Sequence, residues 1–215
     1  MKKDLTDITV VLDRSGSMDS LCSEVIGSFN TFVDDQKDVE GEATFTLIQF
    51  DDKYEVNYEA MAVKDVAYLN DETYVPRGMT ALLDAVGRSI VSTGKRLKKI
   101  DESERPEKVI FIIQTDGMEN ASKKYSVDVV KKMIKEQQDK YSWEFVFLGS
   151  NIDAISTAED MGIRPGNAMT YANSAMGTRE AFQSVSENVS FSRRNEKSDM
   201  SFKEKDFTAQ KKAGL

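Results

Sequence analysis

Asp13, Ser15 and Ser17 stand at alternate positions directly behind an apolar run, in the stretch DITVVLDRSGSMDS from Asp7 to Ser20. In an extended turn alternate side chains point to one side, so three small oxygen-bearing groups can face one point. Gly16 lets the backbone turn tightly between the serines. Two other stretches carry comparable groups. PRGMT places Thr80 just before a helical pattern, and QTDGMEN places Asp116 directly after the most apolar run of the chain. Two carboxylates and three hydroxyls suit a small, hard, oxygen-seeking dication. The chain has no histidine and a single cysteine, Cys22. Zinc sites of the usual His/Cys kind and Ser-His-Asp or Cys-His triads are therefore excluded. An ion bound here must be held by oxygen, which points to magnesium, with manganese or calcium as alternatives.

Such groups need elements to deliver them. Ile8–Leu12, Ala43–Phe50, Lys108–Thr115 and WEFVFLGS (143–150) read as strands, the third almost wholly apolar as a strand covered on both faces should be. DDKYEVNYEA (51–60) reads as a turn and an alternating edge strand, and AMTYA (168–172) as a short last edge strand. Helical spacing runs from Asp19 to about Val39, through Leu82, Val86, Ile90, Thr93 and Leu97, from about Ser126 to Lys140, and through Phe182, Val185 and Val189. A short helix is expected over Ala154–Met161, and polar loops over 61–73, 101–107 and 116–125. Strands alternating with helices predict an α/β fold. The expected form is a Rossmann-like, doubly wound, mostly parallel sheet with helices on both faces and one antiparallel edge strand. In such a sheet ligands sit beyond the carboxyl ends of the strands, where all three oxygen-bearing loops would lie.

The 215 residues can bury a core without disulfides. Net charge is −8, which argues against a nucleic-acid binder and is compatible with a cation site. A lone cysteine, no apolar signal core after Lys3 and no membrane-length apolar run lead to the expectation of a cytoplasmic protein without membrane contact. Past Ser192, Arg193, Arg194, Lys197, Lys203, Lys205, Lys211 and Lys212 outnumber Glu196, Asp199, Glu204 and Asp206. Residues 192–215 are expected to be a solvated basic tail, partly helical or partly disordered.

DRSGSM resembles the Asp-x-Ser-x-Ser motif of von Willebrand factor type A (VWA) domains, the centre of their metal-ion-dependent adhesion site (MIDAS). Thr80 in RGMT and Asp116 in TDG match that family's threonine and aspartate on its second and third loops. The resemblance is densest from Asp7 to Gly149. It implies a VWA domain over residues 1–191, of the prokaryotic or phage-like intracellular type. It also implies a magnesium ion held by Asp13, Ser15, Ser17, Thr80 and Asp116, directly or through water. One coordination position would remain open for a Glu or Asp of a partner protein. The implied function is a metal-dependent protein–protein interaction module without catalysis. The alternatives are a regulatory subunit of an AAA-type ATPase and, less favoured, a magnesium-dependent phosphatase of the haloacid dehalogenase type. The latter needs a second acid where this chain has Ser15.

Other polar residues read more plainly. Asp19 lacks the following acids that a second, integrin-type metal site would need. Asp51 and Asp52 read as hairpin-turn residues, Arg77 as a surface arginine and Cys22 as a small buried residue. Glu119 and Asn120 are either supports of the site or part of a solvated loop.

Overall fold

The computed structural model of the chain describes residues 1–195 and 199–215. Glu196 and Lys197, counted above in the tail, lie outside the described residues. A six-stranded sheet has the order β3-β2-β1-β4-β5-β6. The strands are β1 (Lys2–Asp13), β2 (Glu42–Phe50), β3 (Tyr54–Ala62), β4 (Pro106–Thr115), β5 (Glu144–Gly149) and β6 (Ala168–Thr170). All pair in parallel except β3, which runs antiparallel to β2 at the edge. The helices are α1 (Cys22–Asp38), α2 (Leu82–Lys98), α3 (Val127–Tyr141), α4 (Ala154–Asp160), α5 (Ala175–Arg193) and α6 (Glu204–Lys212).

The alternation of side chains along β1 and β4 divides the core into two layers. Ile8, Val10 and Leu12 of β1, with Ile110 and Ile112 of β4, pack with Val25, Phe29 and Phe32 of α1 and with Phe182, Val185 and Val189 of α5. Val11, Phe111 and Ile113 face the other way, onto Val86 and Ile90 of α2, Val130 and Ile134 of α3 and Ala154 and Ala158 of α4. Burial on both faces explains why these strands are continuous apolar runs. Helix ends are capped where the sequence supplies an oxygen: Ser126 Oγ for α3, Asp153 for α4 and Ser174 Oγ for α5.

The chain runs β1, α1, β2 to one side of β1, and later strands run to the other side through β4, β5 and β6. The turning point falls between β1 and β4, so the loops that leave these two strands diverge there and open a crevice.

The structure differs from the sequence expectation in three places. β1 begins at Lys2 and β4 at Pro106, both earlier than their apolar cores. Lys2 N bonds to Arg105 O at 2.7 Å, and an exposed strand end of this kind leaves no hydrophobic trace. Residues 16–21 form a short 3₁₀ helix before α1. The expected solvated tail is corrected most: α5 continues to Arg193, which is buried and donates to Gln36 O at 2.5 Å. Met200 and Phe202 join the α1/α5 core layer, and Gln210 of α6 is fully buried, accepting from Ala172 N and donating to Gly177 O. The charged residues of α6 other than Asp206, which is buried and accepts from Ser184 Oγ, stay outside the core, so average composition concealed a packed element.

Candidate functional site

Asp13 is the last residue of β1, and the adjacent strand supplies its first partner. Leu12 pairs with Gln114 across β1 and β4, and one step on Thr115 Oγ1 donates to Asp13 Oδ2 at 2.5 Å. Ser15 N donates to Asp13 Oδ1 at 2.6 Å, closing the turn. Ser15 Oγ and Ser17 Oγ lie 3.2 Å apart, and Ser17 Oγ donates to Asp116 Oδ1 at 2.5 Å. A Cβ added at Gly117 would lie 3.6 Å from Ser17 Oγ and 3.7 Å from Thr80 Oγ1, which places the Thr80 hydroxyl on the same small space. All five residues predicted from the sequence are therefore brought together by three loops at the crevice.

Burial shapes the electrostatics. Asp13 is fully buried, over Tyr74, whose hydroxyl donates to Asp13 O at 2.6 Å, and near Met18 and the Gln114–Tyr171 pair. Removal from water pushes the Asp13 carboxyl up to about 6; the hydrogen bonds from Thr115 and Ser15 oppose this, and the negative charge of Asp116 adds to it. Burial also raises Asp116, against the pull of its Ser17 hydrogen bond. Among the described residues neither Asp13 nor Asp116 forms an ion pair, so two desolvated carboxylates share the crevice without a paired cation.

This donor set fits a hard dication. Among the described residues no group of three or more histidine, cysteine or acidic side chains converges. An ion at the crevice would therefore draw on hydroxyls beside only two carboxylates, and would keep excess positive charge toward a further anion.

Residues the sequence reading did not assign to the site hold its loops in place. Arg14 and Asp51 are buried; Arg14 Nε donates to Asp51 Oδ2 at 3.1 Å and Nη1 to Glu55 Oε2 at 2.6 Å. Arg77 donates to the same two carboxylates, both at 2.9 Å. Lys53 N donates to Asp51 Oδ1 at 2.6 Å and Ala81 N to Asp51 O at 3.0 Å. Asp51 is thus a turn residue, as expected, and also the shared anchor of the Ser15 and Thr80 loops. Arg77 N donates to Arg14 O and Gly16 N to Gly78 O, at 2.8 and 3.2 Å, tying the same loops through the backbone. Gly78 is required there: its φ is +69°, and a Cβ would strike the Asp52 carboxylate.

The third loop is held as firmly. Asn120 Oδ1 accepts from Thr80 N at 2.9 Å, and Thr80 O accepts from Asn120 N and Ala121 N. Glu119 accepts from Leu83 N, Ala121 N and Ser122 N at 2.9, 2.9 and 2.7 Å. Of the two readings left open for Glu119 and Asn120, the structure shows supports of the site. An acid straight after an apolar strand, as Asp51 is after β2, was the one available signal for the clamp. Thr115 carried none beyond its place before Asp116. Cys22 is half-buried against the α1-side core, and its thiol is raised by burial.

By sequence, no family model and no curated protein matches the chain. Solved structures do. A structure of proximal thread matrix protein 1 from the mussel byssus, described as having a zinc-occupied MIDAS motif, superposes with a TM-score of 0.58 at 16% identity, covering 86% of this chain and 46% of that one. The pilus adhesin SpaC from Lactobacillus rhamnosus GG gives a TM-score of 0.64 at 13% identity, over 89% of this chain and 30% of that one. The vWF domain of the type V pili tip protein Mfa5 from Porphyromonas gingivalis gives 0.61 at 10% identity, over 87% and 95%. The chain spans less than half the length of the mussel protein and under a third of SpaC. At these identities the likeness is one of architecture: the chain has the fold of a von Willebrand factor type A domain.

Proposed function

We propose that the chain is a magnesium-dependent protein-interaction module whose ion accepts a carboxylate from a partner protein. The observation that carries this is the pair of desolvated carboxylates, Asp13 and Asp116, meeting three hydroxyls, with no ion pair to either carboxylate among the described residues. Asp13, Ser15, Ser17, Thr80 and Asp116 would hold the ion, directly or through water. When bound, the ion supplies an electrophilic position for an outside anion. Manganese or calcium could replace magnesium at such a site. The zinc-occupied site of the mussel protein and the adhesin role of SpaC, as their descriptions give them, support the reading by likeness of fold.

The rim favours a protein partner. Met79 and Met118 flank the oxygen cluster on the second and third loops and are 55% and 74% exposed. Adaptable apolar side chains around a charged centre are the composition of an interaction face. The partner is proposed to supply a Glu or Asp to the ion; a regulatory subunit of an AAA-type ATPase would use the same face. Nucleic acid is not proposed as a ligand, on the net charge of −8. Among the described residues no helix is long and apolar enough to cross a membrane. A cytoplasmic location without membrane contact is proposed, supported by the single, unpaired Cys22.

Catalysis is not part of the proposal. Both oxygens of Asp13 accept hydrogen bonds within the fold, and the position two residues on is Ser15, so no second acid stands ready to protonate a leaving group. The test is calorimetric titration with manganese and magnesium beside circular dichroism. Wild type should bind one ion, and Asp116→Ala should lose it while keeping its spectrum, since Asp116 sits on a loop at the rim. An Asp116→Ala variant that binds manganese as tightly as wild type refutes the site. Magnesium-dependent turnover of a phosphomonoester that disappears in Asp13→Ala would refute the non-catalytic reading.

A further inference from the structure

A second feature borders the oxygen cluster. Between the β2–β3 turn, the start of α2 and the loop after β4 lies a cleft of about 630 Å³. Met79 and Asn120 line it, and these residues flank and hold Thr80, so cleft and cluster share the Thr80 loop as a wall.

The charges of the cleft run against those of the chain. The whole chain carries −8, yet the cleft is lined by Lys53, Arg88, Lys123 and Lys124 against only Asp52 and Asp84. The Asp84 carboxylate accepts from the backbone N–H groups of Lys123, Lys124 and Tyr125 at 2.9, 2.8 and 2.9 Å, and the nearby charge of Lys124 also favours its ionised form, which still leaves the cations in excess by two. The four cationic side chains are exposed, and none forms an ion pair with a described carboxylate. Arg88 lies over the Tyr54 ring at 4.1 Å, which holds its guanidinium beside the opening. Four cations gathered without a close ion pair to a described carboxylate on an acidic protein form a local well for anions.

We propose that this cleft is a second subsite for the partner: it takes an acidic stretch of the same segment whose carboxylate reaches the ion. This rests on the metal-site reading above and adds the partner's character. The occupant is an extended polypeptide with one acid at the ion, an apolar residue over the exposed Met79, and further acids beyond it in the cleft. An excess of two positive charges is too small to hold a polyphosphate against a net −8, so carboxylates on a protein fit better than phosphates on a nucleic acid. Steering by these lysines raises the encounter rate and falls with added salt, while the ion sets the register.

The experiment uses the full chain with magnesium and two fluorescein-labelled peptides, read by anisotropy. One peptide has a single glutamate in a Gly-Ser background; the other has glutamates on both sides of a central leucine. The second should bind about tenfold tighter, and this advantage should vanish in Lys123→Glu/Lys124→Glu and shrink in Arg88→Gln. Both variants should keep wild-type manganese binding by calorimetry. Their altered side chains are exposed and make no fold-holding hydrogen bond, so both should fold. If both peptides bind equally, if neither binds the metal-loaded protein, or if the advantage survives the charge reversals, the subsite is refuted while the ion site stands. Displacement by single-stranded DNA as readily as by the acidic peptide overturns the assignment to protein. Failure of manganese to bind wild type brings down the metal reading itself, and the subsite with it.

Discussion

Replacing Asp13 with asparagine should stabilise the metal-free protein at neutral pH and remove its response to magnesium. Burial pushes the Asp13 carboxyl from 3.8 up to about 6. That is roughly two pH units, and at ~1.4 kcal/mol per unit it corresponds to about 3 kcal/mol. The folded state holds this proton more tightly than the unfolded chain does. Stability from this group is therefore greatest below about pH 4, falls as pH rises toward about 6, and is flat above. Asparagine has the same shape and cannot ionise. Near pH 4 it mimics the neutral acid, still accepting from Ser15 N, and the two proteins should unfold at similar urea concentrations. Near pH 7.5 with EDTA the variant should be ahead by up to about 3 kcal/mol. Magnesium should then close most of that gap: an ion at a hundred times its dissociation constant adds about 2.7 kcal/mol to the wild type alone. Urea unfolding followed by circular dichroism, across pH 4 to 8 with and without magnesium, measures all of this. A variant no more stable than wild type near pH 7.5 in EDTA, with the two curves parallel in pH, would falsify the account of Asp13 as a strained, ion-awaiting carboxylate.

Asp51→Ala leaves the buried guanidinium of Arg14 without its buried partner, with only the half-exposed Glu55 remaining, and should cost about 3 kcal/mol in the same unfolding assay; a loss below about 1 kcal/mol would show that the clamp is ornamental. Gly78→Ala meets a positive φ and the Asp52 carboxylate, so manganese affinity should drop while the far-UV spectrum is kept; unchanged affinity would mean that the Thr80 loop is not what sets the site. Phe202→Ala should lower stability by about 3 kcal/mol, whereas a solvated tail would show no change.

Much of this molecule was open to reading along the chain. The runs ITVVL, TFTLIQF and KVIFIIQT are apolar at consecutive positions because both faces of their strands are covered, and that local signature needs no knowledge of the fold. The spacing of Val130 and Ile134, or of Phe182, Val185 and Val189, marks one helical stripe for the same reason. Asp13, Ser15 and Ser17 could be grouped because neighbours in sequence share a turn. Thr80 and Asp116 could be added once the strand order put their loops at one edge.

What stayed hidden were pairings between residues far apart in the chain. Arg14 with Asp51 and Arg77, Thr115 with Asp13, and Asn120 with Thr80 are contacts across 26 to 102 positions, and each partner alone looks like a surface or turn residue. The tail misled for a related reason: Met200, Phe202 and Gln210 are three inward residues among many charges, and a composition averages over direction. Burial of Asp13, which displaces its proton affinity, is likewise a property of what packs beneath it, Tyr74 and Met18. Periodicity and turn chemistry act over a few residues, so the strands, the helices and the oxygens at their ends can be read along the chain. Desolvation and charge pairing depend on distance in space, so how dry those oxygens are, what clamps their loops and which cations gather beside them emerge only once the chain is folded.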